Sequence, residues 1–233
     1  VVSPFGARGG NTRIADADNL AWKLAAVVRG RAPESLLHTY HDERLEAAQR
    51  NVQVTNRTAR FLRPTEPAAQ LFRQAALSLA KKHRFARNMV NTGRMAEANT
   101  YTRSPACAGG GVSVQNVTFR WANRQTGVLN TLLDWAEGCL LLLVFGPIRV
   151  VELARLRQLA STTAMLRVVQ VMDPADKPQA LEHVIDDKGH VRRACQATDQ
   201  RWALVRPDAY LAATGSGIDA ALVRQVSCAL TLA

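Results

Sequence analysis

The sequence predicts an α/β fold in two parts: a mainly helical first part, then a part built of strands and helices. Three observations predict it. Apolar residues recur at three- and four-residue steps through residues 14–85, the spacing of one helix face. Leu140-Leu141-Leu142-Leu143-Val144-Phe145 is an unbroken apolar run between Gly138 and Gly146, as in a strand buried on both faces. Between the two regions the composition shifts: Ser104-Pro105-Ala106-Cys107 and Gly109-Gly110-Gly111 place a linker over residues 99–111.

Gly6, Gly9 and Gly10 form a glycine-rich turn that opens the first helix. Ile14, Ala17, Ala21, Leu24 and Val28 give that helix an apolar stripe, and Gly30 stops it. Asp16 and Asp18 read as first-turn charges favouring the helix dipole. A helix N-terminus approached through such a turn suits an anion or an electron-rich carbonyl, because its first N–H groups are unpaired. Pro33-Glu34-Ser35 starts a long second helix reaching Leu62, with Leu36, Leu37, Tyr40, Leu45 and Ala48 on its apolar side. Pro64 and Pro67 end it. A third helix is expected over residues 67–85 with the stripe Leu71, Phe72, Ala75 and Leu79, and a short fourth over residues 87–98.

The second part alternates. Residues 114–121 have strand character, residues 131–137 form a short helix, and the apolar run is the central strand. Residues 147–160 follow as a helix with Val150, Leu153, Leu156 and Leu159 inward, and residues 165–172 as the next buried strand. Strand–helix–strand at these lengths argues a parallel βαβ unit. Residues 202–205 and 209–212 flank the turn Arg206-Pro207-Asp208, and residues 218–230 close the chain as a helix.

The 233 residues are 47% apolar, which allows one or two domains, and carry a net charge of +11. A basic balance invites nucleic acid, but the arginines are scattered and not interleaved with aromatics, so no nucleic-acid partner is expected. Cys107, Cys139, Cys195 and Cys228 are widely spaced, which argues against a zinc or redox pair and for reduced thiols in a cytoplasmic setting. His38 and His41, with Asp42 and Glu43 beside them, have a spacing that could hold a metal, but no third ligand is evident, so they read as a solvated helix face and no metal is expected. The apolar run is too short to span a bilayer.

Pro4-Phe5-Gly6-Ala7-Arg8-Gly9-Gly10-Asn11, running into Asp16-Ala17-Asp18-Asn19-Leu20-Ala21-Trp22-Lys23-Leu24, resembles the last flavin-contacting segment of the class A FAD-dependent aromatic hydroxylases, the family of phenol hydroxylase and para-hydroxybenzoate hydroxylase. The stretch from Leu36 to Val52 is similar to that family's as well. The resemblance implies FAD as cofactor and NAD(P)H as co-substrate, with an aromatic, phenol-like substrate hydroxylated through a flavin C4a-hydroperoxide. It implies that Pro4, Gly6, Arg8, Gly9, Gly10 and Asn11 bind the cofactor, with the amides of Gly9, Gly10 and Asn11 on the flavin N1–C2=O edge. Pro4 and Phe5 would line the substrate cavity. Arg13 departs from the family, where Gly is frequent. The dinucleotide fingerprint and the Gly-Asp pair expected just before Val1 are not in this sequence. The chain therefore reads as the C-terminal portion of a longer enzyme, partnered by an N-terminal FAD-binding half and inactive alone.

The second part resembles the thioredoxin-like C-terminal domain of phenol-hydroxylase-type monooxygenases, through Leu142-Leu143-Val144-Phe145-Gly146 and Leu204-Val205-Arg206-Pro207-Asp208-Ala209-Tyr210, with Ala209 in place of the usual Gly. Gly146-Pro147-Ile148-Arg149 occupies the place of a thioredoxin's cysteine pair, so thiol exchange cannot start there. The implied organisation is residues 1–98, the helical C-terminal part of an FAD-binding monooxygenase domain; residues 99–111, a linker; and residues 112–233, a thioredoxin-like α/β domain used for packing or homodimer contacts. The competing reading is a non-catalytic module of helices and a thioredoxin-like unit acting in assembly.

Overall fold

The computed structural model describes residues 8–90, 98–108, 110–179 and 181–232. They form two compact units. One comprises Val1–Ala17 and Arg44–Asn99, the other Asp18–Glu43 and Thr100–Ala233. Helices α1 (Arg8–Val28) and α2 (Ser35–Leu62) contribute to both. No described helix is long and apolar enough to cross a membrane.

The first unit is helical. It holds the opening of α1, the second part of α2, α3 (Pro67–Lys82) and α4 (Arg84–Val90). Pro67 begins α3, where its missing N–H is no loss, and the backbone at His83 turns extended and separates α3 from α4. The expected single helix over residues 67–85 is therefore two. Residues 91–97, most of the expected fourth helix, lie outside the described residues. Burial here is sparse and falls on Arg44, Ala47, Asn51, Thr55, Ala76 and Ala86. The stripe Leu71, Phe72, Ala75 and Leu79 is a correction: all four face outward, and the small Ala76 is the buried residue of α3. Leu45 is likewise exposed.

The second unit carries a mixed seven-stranded sheet, in the order β2 (Thr126–Val128), β1 (Thr118–Trp121), β5 (Glu182–Ile185), β4 (Leu166–Met172), β3 (Leu140–Phe145), β6 (Trp202–Val205), β7 (Leu211–Gly215). Strands β3, β4 and β5 run parallel; β1 pairs antiparallel with β2 and β5, and β6 antiparallel with β3 and β7. Every residue of β3 is buried, and its side chains alternate between two cores. Leu140, Leu142 and Val144 pack with Trp22, Leu36, Leu156 and Leu222 on one face, under α1, α2, α6 (Val150–Thr162) and α8 (Ala220–Ala229). Leu141, Leu143 and Phe145 pack with Phe119, Leu132, Val184 and Val191 on the other, under α5 (Leu129–Trp135) and α7 (His190–Ala194). Each buried leucine contributes about 2 kcal/mol of transfer free energy, which is why the run reads as a continuous apolar string. In α6, Leu153, Leu156 and Leu159 turn inward as expected, whereas Val150 is 85% exposed at the helix start.

From Thr100 onward the chain belongs to this unit. Tyr101, Ser104, Ala106 and Cys107 are buried, and the Tyr101 ring stacks on Tyr210 with centroids 4.3 Å apart.

The stripe expected to be the buried side of α1 is also corrected. Ile14, Ala17, Ala21, Leu24 and Val28 are exposed, Val28 at 77%. The buried side is Asn19, Trp22, Lys23 and Ala26, at helical steps of three and four. Two of these four are polar, so apolar periodicity selected the opposite face.

Candidate functional site

Of the residues expected to bind cofactor or substrate, Pro4, Phe5 and Gly6 lie outside the described residues. Arg8, Gly9, Gly10 and Asn11 form the first turn of α1 itself. The helix thus begins earlier than the apolar pattern suggests, and Gly9 and Gly10 belong to it, not to a turn before it. Asp16 and Asp18 then fall in its third turn, too far along to serve as first-turn charges; Asp16 pairs instead with the buried Arg44 of α2. The same Arg44 donates to the carbonyl of Thr12, and Asn51 donates to the Thr12 hydroxyl at 3.2 Å. These contacts fasten the opening of α1 to α2.

The first-turn amides of an α-helix have no intrahelical carbonyl to bond, and they carry the positive end of the helix dipole. A Cβ placed on Gly9 or Gly10 would meet nothing within 4 Å. The space beside both glycines is thus open among the described residues. A helix end of this kind suits an anion or an electron-rich carbonyl. The structure places His38, His41 and Asp42 on an exposed face of α2.

Sequence reasoning missed a second constellation, in the sheet-bearing unit. Glu43 of α2 has a side chain without solvent exposure and accepts five hydrogen bonds. Arg206 gives two, Nη1 to Oε1 at 2.6 Å and Nη2 to Oε2 at 2.9 Å. Lys23 Nζ and Asn19 Nδ2 reach Oε2 at 2.8 and 2.6 Å, and Ser104 Oγ reaches Oε1 at 2.6 Å. Arg206 also grips Asp208, Nε to Oδ1 at 3.0 Å and Nη2 to Oδ2 at 2.6 Å, and Asn19 donates to the same Asp208 Oδ2 at 3.0 Å. The guanidinium lies 5.1 Å from the Trp22 ring and 5.7 and 5.8 Å from those of Tyr101 and Tyr210. Two cations and two carboxylates are balanced in a site that water does not reach.

The electrostatics follow from that balance. Burial works to raise the Glu43 carboxyl, but Arg206 and Lys23 outweigh it and hold it at about 2. Burial and the neighbouring Arg206 push the Lys23 ammonium down to about 8, against the pull of Glu43. Burial raises the Cys107 thiol to about 11, so it stays protonated beside Arg206. Burial and Asp208 raise Asp18, one helical step before Asn19. The one sequence signal for this cluster is the four-residue step from Asn19 to Lys23 next to Trp22, a polar pair on the side of a helix that also bears a large aromatic.

Residues 1–55 match the FAD-binding domain family. The 6-methylpretetramide 4-monooxygenase of Streptomyces rimosus is 30% identical over 227 residues, covering 92% of this chain and 40% of that protein. The 4-methyl-5-nitrocatechol 5-monooxygenase of a Burkholderia species is 31% identical over 218 residues, covering 91% of this chain and 38% of that protein. The chain thus spans about two fifths of the length of these curated relatives. Among solved structures, CabE, an aromatic hydroxylase from angucycline biosynthesis, aligns over 98% of this chain and 42% of its own with a TM-score of 0.64 at 25% identity. The flavin-dependent monooxygenase PieE, in complex with FAD and substrate, aligns over 99% of this chain and 46% of its own with a TM-score of 0.70 at 20% identity, which shows a shared fold.

Proposed function

We propose that this chain works in a FAD-dependent aromatic monooxygenase, with the opening turn of α1 facing the flavin. The observation that carries the reading is a helix N-terminus with two glycines in its first turn, open beside both among the described residues, inside the very stretch that matches the FAD-binding domain family. The two monooxygenases among the relatives support it.

Bound FAD supplies hydride acceptance and oxygen activation, with NAD(P)H as reductant and O2 as oxidant. The chain's own part is to hold and polarise. The amides of Gly9, Gly10 and Asn11 would donate to the flavin edge that becomes negative, Pro4, Gly6 and Arg8 would also hold the cofactor, and Pro4 and Phe5 would line the cavity for a phenol-like ring. A preorganised dipole there needs no reorganisation when charge develops. We read residues 1–98 as part of the monooxygenase domain, residues 99–111 as the connection, and residues 112–233 as a thioredoxin-like domain without the thiol pair, available for homodimer contacts. The parallel β3–α6–β4 unit beside antiparallel β6 and β7 supports that last reading, as does the absence of cysteine at residues 146–149.

The test is to isolate the native polypeptide that carries this sequence without added flavin, record its visible absorbance, and follow NADH and NADPH oxidation with simple phenols. Released FAD and a hydroxylated product are expected. A colourless protein that takes up no FAD contradicts the reading and favours a non-catalytic assembly module.

A further inference from the structure

We propose that Arg206 and Glu43 are positioning residues that hold helix α1 in place for the flavin; the flavin half of this statement rests on the reading above. Helix α1 is one uninterrupted helix, Arg8–Val28. Its buried side carries two hydrogen-bonding groups, Asn19 and Lys23, and both end on Glu43. Asn19 reaches Asp208 as well, so the helix is tied to α2 and to the turn between β6 and β7 by side chains without solvent access. Trp22 lies between them with its ring against the Arg206 guanidinium.

The chemistry favours a fixed geometry over simple adhesion. Arg206 presents all three of its nitrogens to two carboxylates in a planar fork, a directional arrangement that a lysine cannot reproduce. A well-packed apolar contact stabilises at least as well as a buried ion pair, so stability alone does not explain four charges here. What the network adds is register: a small sliding or rotation of α1 would break bonds at Asn19 and Lys23 together. A helix whose tip serves a cofactor needs that constraint, because small displacements of a preorganised donor set are expensive in function.

The test uses the native polypeptide carrying this sequence, with three variants. Arg206→Lys keeps the charge and loses the fork. Glu43→Gln keeps the shape and loses the acceptor charge. Leu143→Ala is the control, destabilising the same unit from the opposite face of the sheet, away from the core that α1 joins. Thermal unfolding, FAD affinity and amide hydrogen exchange along α1 are measured for each. Arg206→Lys and Glu43→Gln should weaken FAD binding by about tenfold and speed exchange across residues 19–28, while Leu143→Ala lowers the melting temperature and leaves FAD affinity unchanged. If either variant fails to fold, Ser104→Ala, which removes one hydrogen bond to Glu43, should give the same two effects in smaller measure. Unchanged FAD affinity and exchange in folded Arg206→Lys overturns the proposal. Faster exchange in α1, in a protein whose unsubstituted form takes up no FAD, keeps the clamp and sinks the flavin reading alone.

Discussion

Arg206 and Glu43 stand 163 residues apart in the chain, and their side chains meet through two nearly parallel hydrogen bonds of 2.6 and 2.9 Å with no solvent access to either. The pair joins α2 to the turn between β6 and β7, and Asn19, Lys23, Ser104 and Asp208 bond to one or both of its members.

Breaking the pair from one side should be far worse than replacing it. Arg206→Met or Glu43→Met leaves a buried charge without its partner and should cost about 3–5 kcal/mol in urea unfolding. The double variant Glu43→Met with Arg206→Met should recover much of that loss. A strictly additive cycle would show that the two groups do not interact.

Stability should change with pH in two windows of opposite origin. Glu43 has a folded value of about 2 against the usual 4.5, so the stability it confers is complete above pH 4.5 and drains away as pH falls towards 2, on the order of 3 kcal/mol in all. Lys23 has a folded value of about 8 against the usual 10.5. The unfolded chain then holds the extra proton above pH 8, so its contribution grows with rising pH. Cys107, raised to about 11 from 9, opposes that growth above pH 9. The window between pH 8 and 9 isolates the lysine: the wild type should gain stability there and Lys23→Met should not. Melting temperatures at half-unit pH steps check both windows.

Ala209 sits at φ 57°, the left-handed region, in the turn that follows Arg206-Pro207-Asp208. A β-carbon there is strained by about 1 kcal/mol, and the turn is nonetheless kept, with the Ala209 amide bonded to the Arg206 carbonyl at 3.0 Å. Ala209→Gly should therefore be neutral to stabilising by up to about 1 kcal/mol, an unusual result for a change to glycine. A loss of more than that in chemical denaturation would contradict the assignment.

The central strand was legible because burial on both faces leaves a run of large aliphatics with no alternation to misread, and Leu140–Phe145 is such a run. The strand–helix–strand unit and the β6–β7 hairpin followed from glycine and proline punctuation. The buried side of α1 was not legible. Its polar members are satisfied by Glu43 and Asp208, groups remote in sequence, and a hydrophobicity pattern assigns any lysine to water. Strand β5 and helix α7 escaped notice because residues 173–201 are polar and rich in charge, and Glu182–Ile185 pairs between β4 and β1 with only Val184 fully buried. At the candidate site a helix preceded by glycines was legible, while its start at Arg8 was not, since a helix with an open first turn has no apolar residue there to announce it.

The most direct measurement is an FAD titration of the native polypeptide with and without Gly10→Glu. An acidic side chain at a helix N-terminus suits the dipole and helix propensity, so the substitution should leave the melting temperature unchanged or slightly raised. It also places bulk and negative charge where the flavin edge is proposed to sit, and FAD affinity should fall by at least about tenfold. Equal affinity in the two proteins, or no FAD uptake by either, would contradict the account.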